Sequence, residues 1–264
     1  MVYCRCFPRL DKLAARAALA HVLYNVAVGE LVSCVMATRD RPNFIRQAVR
    51  CFLHQTYKHS ELVVVDDGEQ PVARLCSRSP RFRYVQLPRM TPTGTKLNIG
   101  IERAKGTAIQ KLDDDDYYHP DFLKLAVSHL PEKDRTDCLV GWDCFLVLLA
   151  GEARLCHSGH GWVAGGTLCF SRKLWERAHF RDVMRDEDYW FLKDVQPKIV
   201  RVCAPEHYML VRHGHNTWNR LRNRKRVDDF FRGLPEYQKP LGEVVDPCAL
   251  EFYRSLARGR CMER

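Results

Sequence analysis

Four consecutive aspartates, Asp113 to Asp116, sit between two segments of regular periodicity. TAIQKL (107–112) before them reads as a short strand. After them Pro120 opens PDFLKLAVSHL, where Phe122, Leu123, Leu125, Ala126 and Leu130 fall on helical spacing. Adjacent carboxylates repel one another, so a fold that gathers them at a strand end must gain something from them. The usual gain is a divalent cation, because hard oxygen ligands suit Mg2+ or Mn2+. The plain alternative is a solvated acidic loop, and the flanking chain decides between the two.

LVSCVMATR (31–39) is a compact apolar run that becomes polar at its end, as a buried strand does on reaching a site. Pro42 suits the first turn of a following helix, with Phe44, Ile45, Ala48, Val49, Phe52 and Leu53 as its apolar stripe. ELVVVDDG (61–68) is a second buried strand closing on Asp66, Asp67 and a turn-permitting Gly68. FRYVQLP (82–88) reads as a third strand. The helix within TPTGTKLNIGIERAKG carries Leu97, Ile101 and Ala104 on one face, with Gly106 as the expected C-cap. Strands alternating with helices of this length imply βαβ units and a mostly parallel sheet. Ligands of such sheets bind at the carboxyl ends of the strands, where Thr38, Asp67 and Asp113 all fall.

The second half changes character. DCLVGWDCFLVLL (137–149) and GGTLCF (165–170) read as strands separated by the loop CHSGHGW; SRKLWERAHF is a short helix with Ser171 as N-cap. RDEDYWFLKDV (185–195) is another helix, and KIVRVCAP and EHYMLVRHG are two more strands. No internal repeat or Pro/Gly/Ser-rich linker divides the chain. The segment from Asn219 reads as irregular and basic.

At 264 residues, 46% hydrophobic and 28% charged, the chain can bury a substantial core. A net charge of +10 favours an anionic partner: a nucleotide diphosphate, a phospholipid surface or nucleic acid. The 12 cysteines include no CxxC pair and no zinc-like Cys/His spacing. Cys34, Cys169 and Cys203 lie in apolar runs, where a thiol packs as a small hydrophobe. The set therefore reads as reduced thiols of a reducing compartment. Residues 13–28 come nearest to a membrane span, but Arg16, His21 and Asn25 interrupt them. An amphipathic helix packed on the domain is the expectation there.

VSCVMATRDRPNFIRQAVRCFLHQTYKHSELVVVDDG resembles the opening of family-2 glycosyltransferases of the GT-A fold, with its strand ending in Thr and its apolar strand closing on Asp-Asp-Gly. LDDDDYYHPDFL is similar to the family's Asp-x-Asp site, GGTLCFSRKLW and DEDYWF to its acceptor-side region with a Glu-Asp pair, and RHGHNTW to a later His-containing segment. The resemblance implies a GT-A-like Rossmann-type α/β/α sandwich over residues 31–218, flanked by an N-terminal helical extension (1–30) and a basic C-terminal tail (219–264).

It further implies a metal-dependent, inverting transfer of a sugar from a nucleotide-diphosphate donor, a UDP-sugar first among them, to a hydroxyl of a glycan, lipid-linked or protein acceptor. Asp113, Asp115 and His213 (or His215) then hold Mn2+ or Mg2+, and Thr38, Asp67, Lys96, Asn98, Asp113 and Asp114 line the donor. Asp188 is the catalytic base, and Glu187 and Trp218 face the acceptor. Asp116 caps the next helix or stands behind the metal, and Trp162 and Trp190 stack on sugars or fill the core. An Asp, Asp186, stands where the family usually has a small residue before Glu-Asp. The Arg-rich run 220–226 is a solvated face, a diphosphate clamp or an approach to an anionic membrane. The location expected is cytoplasmic, or peripheral at the cytoplasmic membrane face. Two rival readings are a metal-dependent nucleotidyltransferase and a non-catalytic nucleotide- or nucleic-acid-binding protein. The first lacks a glycine-rich phosphate loop and the second a recognised nucleic-acid motif, so no nucleic acid is expected as a partner.

Overall fold

The structure, a computed structural model, describes residues 29–76, 79–132, 135–216 and 224–259. The expected N-terminal helix falls outside them.

The first half alternates as expected: β1 (Val32–Thr38), α1 (Pro42–His54), β2 (Ser60–Asp66), α2 (Ala73–Cys76), β3 (Phe82–Gln86), α3 (Thr93–Arg103) and β4 (Ala108–Asp113). Beyond the acids come β5 (Tyr117–Tyr118), α4 (Phe122–His129), β6 (Cys138–Cys144), β7 (Leu146–Leu149), β8 (Arg154–His157) and β9 (Cys169–Ser171). Next are α5 (Arg172–Arg177), α6 (Glu187–Val195), β10 (Lys198–Cys203), β11 (Tyr208–Arg212), α7 (Arg224–Arg232), α8 (Leu241–Val244) and α9 (Pro247–Ala257).

The main sheet has seven strands in the order β10-β6-β9-β4-β1-β2-β3, all parallel except β9, which runs against both neighbours. Its faces follow from strand alternation. Val32, Cys34 and Met36 of β1 and Leu62 and Val64 of β2 pack with Ile45, Ala48, Val49 and Phe52 of α1. Val35, Val63 and Val65 point to the other face, against Leu97 and Ile101 of α3 and Phe191 of α6. Both faces are covered, which is why these strands read as unbroken apolar runs. The α/β/α sandwich expected from the sequence is the architecture found.

A second sheet, β5-β11-β7-β8, was not foreseen. The run 137–149 is two strands, not one: at Phe145 the chain leaves the main sheet and joins the second. GGTLCF is likewise divided, into a 3-10 turn at Gly165–Thr167 and then β9. Helix α3 ends at Arg103 with Ala104 as its C-cap, so Gly106 is no C-cap; the Gly106 N–H donates to Ser33 Oγ at 2.8 Å. Leu53, assigned to the stripe of α1, is 40% exposed, and Trp190 is half-buried under Arg181 and Lys193, not in the core.

The largest correction concerns the segment read as an irregular tail. Residues 224–257 carry α7, α8 and α9, and α9 packs Ala249, Tyr253, Leu256 and Ala257 against Leu146, Leu148, Met209 and Val211 of the second sheet. Pro247 opens α9 and Asp246 caps it, accepting the Cys248 N–H at 2.9 Å.

That packing is testable. Leu256→Ala should lower stability in urea denaturation by about 2–5 kcal/mol, the range for a fully buried Leu. Leu53→Ala should stay within about 0.5 kcal/mol of wild type. Equal effects would mean that α9 does not share the core.

Candidate active site

Strands β1, β2 and β3 are laid down in one direction, and β4 then takes the opposite side of β1. The strand order therefore reverses between β1 and β4, and a crevice opens at their carboxyl ends. The register brings the polar termini level: Thr38 lies opposite Asp66, and Ala37 opposite Asp113.

The two aspartates after β2 divide their work. Asp66 holds the local turn, accepting from Gly68 N (2.8 Å) and from the Tyr84 hydroxyl (2.7 Å). Asp67 turns to the crevice, where the buried Lys96 Nζ donates to its Oδ1 (2.8 Å) and to the carbonyl of Thr38 (3.1 Å). Thr91 N–H donates to its Oδ2 at 2.6 Å. Asp40, at a left-handed φ of 50°, accepts from Glu69 N and Gln70 N and so closes the loop over this corner.

The acidic run meets a cation from the first βα turn. Arg41 Nη1 donates to Asp114 Oδ1 (2.7 Å) and Asp115 Oδ2 (2.9 Å), and Thr38 Oγ1 donates to Asp114 Oδ2 (2.6 Å). Asp115 Oδ2 also receives His213 Nε2 (3.0 Å) and Asn216 Nδ2 (3.2 Å). His213 stacks on Phe44 and accepts His215 N–H on Nδ1, which leaves the proton of a neutral ring on Nε2, facing Asp115. Burial works against ionising Asp115, yet Arg41 and His213 hold its carboxyl below the ordinary carboxylate range. Burial pushes Asp114 up, and Asp116 well up. Asp115 is thus the carboxyl of the run most favoured to ionise.

Across the crevice, the glycines of the 3-10 turn leave room for two carboxylates. A Cβ on Gly165 would lie 1.8 Å from Asp188 Oδ2, and one on Gly166 would lie 2.7 Å from Asp113 Oδ2. Tyr118 ties the turn to the acids, its hydroxyl accepting the Asp113 N–H (2.7 Å) and donating to the Gly166 carbonyl (3.0 Å). Buried Lys111 pairs with Asp113 Oδ1 (2.6 Å) and lies 3.4 Å from Glu187 Oε1. Burial, only partly offset by Lys111, pushes Glu187 up to about 7. Asp186 takes a left-handed φ of 57° just before α6. An Asp tolerates that conformation and a glycine adopts it at less cost, which suits the Gly-Glu-Asp pattern expected there.

Residues 33–146 match the model of glycosyl transferase family 2. The resemblance read from the sequence therefore holds over that stretch. An uncharacterized glycosyltransferase of Rickettsia prowazekii is 31% identical over 111 residues, which is 42% of this chain and 35% of that protein. The glycosyltransferase GlyG of Streptococcus pneumoniae is 27% identical over 119 residues (43% and 39%), and the chondroitin synthase of Pasteurella multocida 30% over 111 residues (40% and 11%). The matched stretch spans less than half the length of these relatives. Among solved structures, S. aureus TarS superposes with a TM-score of 0.56 at 14% identity over 76% of this chain and 42% of that one. Its residues 1–349 in complex with UDP-GlcNAc give 0.54 at 16% identity over 70% and 59%. At such identities the likeness is one of fold.

Set against the family-2 pattern, the crevice brings together Thr38, Asp67, Lys96, Asp113, Asp114, Asp115, Glu187, Asp188 and His213. Asn98 is not among them. Its amide is committed to the Phe180 backbone and to Trp175 Nε1, holding α3 against the chain after α5. Asp116 does not cap α4, whose N-cap is Asp121; it accepts the Tyr208 hydroxyl and the Val211 N–H (2.9 Å) and so anchors the second sheet. Trp218 lies outside the described residues. Sequence reasoning missed Arg41, Lys111 and the glycine pair, and Asn216 was visible only as part of RHGHNTW. A lysine within the apolar strand TAIQKL was the one visible signal among the missed residues.

The Glu187 shift carries a pH dependence. Its carboxyl titrates at about 7 when folded against an ordinary 4.5, so the folded protein binds that proton more tightly between these values. Stability therefore falls as pH rises through that window and is level above it. Glu187→Gln removes the effect. Its stability relative to wild type should grow from about pH 5 to pH 7 by on the order of 1–3 kcal/mol in urea denaturation. A difference constant with pH would show that Glu187 titrates as it does in the unfolded chain.

Proposed function

We propose that this chain is a divalent-metal-dependent, inverting glycosyltransferase that moves a sugar from a nucleoside diphosphate to an acceptor hydroxyl. One observation carries the reading. Asp188 and Asp113 occupy the two sides of a glycine turn that has no side chain to separate them, on the rim that also holds Asp67 and Asp115. Donor and acceptor carboxylates thus face one space.

The donor nucleoside lies along Thr38, Asp67 and Lys96, at the switch between β1 and β4. Its diphosphate extends toward Asp113 and Asp115. The residues suit a hard cation. Asp115 offers a charged oxygen, oriented by the Nε2–H of His213 3.0 Å away, and Asp113 is the next carboxylate along the rim. Among the described residues, sets of three or more ligand atoms within 4.8 Å of one another do not include the acidic run. An ion held there would take one or two carboxylates and complete its shell with phosphate and water. Mn2+ or Mg2+ bound there would offset the negative charge that the departing diphosphate gains.

The transfer is a single displacement. The acceptor oxygen bonds to the anomeric carbon and its proton passes to the Asp188 carboxylate. The bond from that carbon to the diphosphate oxygen breaks, and its electron pair leaves with the diphosphate. Glu187, held by Lys111, borders the acceptor side. A UDP-sugar is the first donor to test, since TarS has been solved with UDP-GlcNAc. A glycan, lipid-linked or protein hydroxyl is the acceptor class.

Asp188→Asn keeps the shape and loses the proton acceptor. Single-turnover transfer should fall by about two or more orders of magnitude with donor affinity near wild type. Glu187→Gln should lose less and Asp186→Asn least, and the product's anomeric proton should show inversion by NMR. A larger loss at Asp186, or retention of configuration, would sink the assignment.

Asp115→Asn should abolish the Mn2+-dependent thermal stabilisation given by UDP while leaving the unliganded melting point within a few degrees of wild type. GDP, ATP and an oligonucleotide complete the panel. Stabilisation by UDP that persists in this variant would move the metal away from the acidic run.

A further inference from the structure

On the rim of the main sheet, beyond β9 from the acids, a second cluster of metal-ligand side chains remains unused by the transfer. It is drawn from three separate segments: Cys144 at the end of β6, His157 and His160 around the loop after β8, and Cys203 at the end of β10. The sulfurs of Cys144 and Cys203 and a ring nitrogen of His160 all lie within 4.8 Å of one another.

We propose that Cys144, Cys203 and His160 form a binding site for Zn2+. Two thiols with an imidazole are a soft-to-borderline donor set, which selects zinc over the hard cations suited to the acidic run. Tetrahedral zinc separates such ligand atoms by roughly 3.3–3.8 Å, given Zn–S near 2.3 Å and Zn–N near 2.0 Å, so binding asks the cluster to contract by at most about 1.5 Å. Cys144 is buried, whereas Cys203 and His160 are exposed, so the ion has an entry path and solvent can fill the fourth position. The parallel pairing of β6 with β10 shifts register between Val202 and Cys203, and that irregularity sets Cys203 opposite Cys144.

His157 completes the surroundings without being a ligand. Its Nδ1 accepts the Gly159 N–H at 3.0 Å, so its Nε2 carries the proton of the neutral ring and lies 3.2 Å from Cys144 Sγ. An N–H donated to sulfur stabilises the thiolate that zinc binding requires. Tyr237 stacks on the same ring and keeps it in place. On binding, the two thiols lose their protons to solvent and zinc takes the freed sulfur electron pairs.

The placement gives the ion a task. It joins the edge strand β10 to β6, and from His160 the chain runs straight into Gly165–Gly166. Zinc thus fixes the chain just before the glycine turn, sharing no residue with the acidic rim. A second set, His54, Asp246 and Cys248, stands at the start of α9, where Asp246 already serves as helix cap.

The test uses the full chain, stripped with chelator under reductant, reloaded with zinc and dialysed. Metal analysis should find one zinc per chain. Co2+ in its place should give the intense near-ultraviolet band of sulfur-to-metal charge transfer. Cys203→Ser, at an exposed position that spares the core, should abolish both signals, and His160→Ala should lower zinc affinity by at least the ~10–100-fold expected for His157→Gln. Cys248→Ser should retain both. The proposal is overturned by absence of bound zinc, by cobalt binding without the thiolate band, or by zinc kept in Cys203→Ser and lost in Cys248→Ser. A Cys144–Cys203 disulfide, found by mass spectrometry in protein isolated without reductant, would overturn it as well.

Discussion

The structure depends on how a run of four carboxylates is made tolerable at the centre of a fold. Each buried, unpaired carboxylate would cost several kcal/mol, and here none is left to itself. Arg41 comes from the first βα turn to bridge Asp114 and Asp115, Lys111 comes from within β4 to meet Asp113, and Tyr208 with the Val211 N–H takes Asp116. The partners belong to different layers, so satisfying the charges also fixes where the layers stand. Asp116 draws the second sheet in, and the Tyr253 hydroxyl, donating to the Asp116 carbonyl at 2.9 Å, brings α9 with it. What is left for chemistry is Asp115, kept ionised, and Asp113, whose side chain is 38% exposed.

The first half was legible because its strands are covered on both faces and its helices on one, so apolar runs and stripes carried the answer in period alone. The acids were legible by position at strand ends. Periodicity fails where burial is continuous: nothing in DCLVGWDCFLVLL marks Phe145 as the point where one sheet is exchanged for another. It also fails where function is made by distant partners. Arg41 sits in TRDRP, which looks like a solvated turn, and only the fold shows that it spans to residues more than 70 positions away. Asn98 misled in the opposite sense, as a polar residue at a suggestive place whose amide serves packing. The helices after Asn219 were hidden by charge, since the basic face of α7 dominates the composition while Phe231 packs inward. Cys144, His160 and Cys203 are far apart in sequence, so no spacing rule could have joined them.

The two sides of the crevice are joined by small groups, not by large contacts. One phenolic hydroxyl, on Tyr118, links the end of β4 to the glycine turn, and one ammonium, on Lys111, lies between Asp113 and Glu187. Removing either would leave the core intact and let the carboxylates drift relative to each other. Positional errors of that kind weaken catalysis more than stability, because reacting groups must be held to a fraction of an ångström.

The reversed strand β9 has a consequence for how the molecule is made. It lies between β4 and β6, yet it is translated after both, so the main sheet stays open along its middle until residue 171 has left the ribosome. Until then β4 presents an unpaired edge directly beneath the acidic run, the kind of edge that other chains can join. The stretch 33–146, recognisable as a family segment, stops short of that strand. The strand that closes the sheet therefore lies outside the stretch that resembles the family.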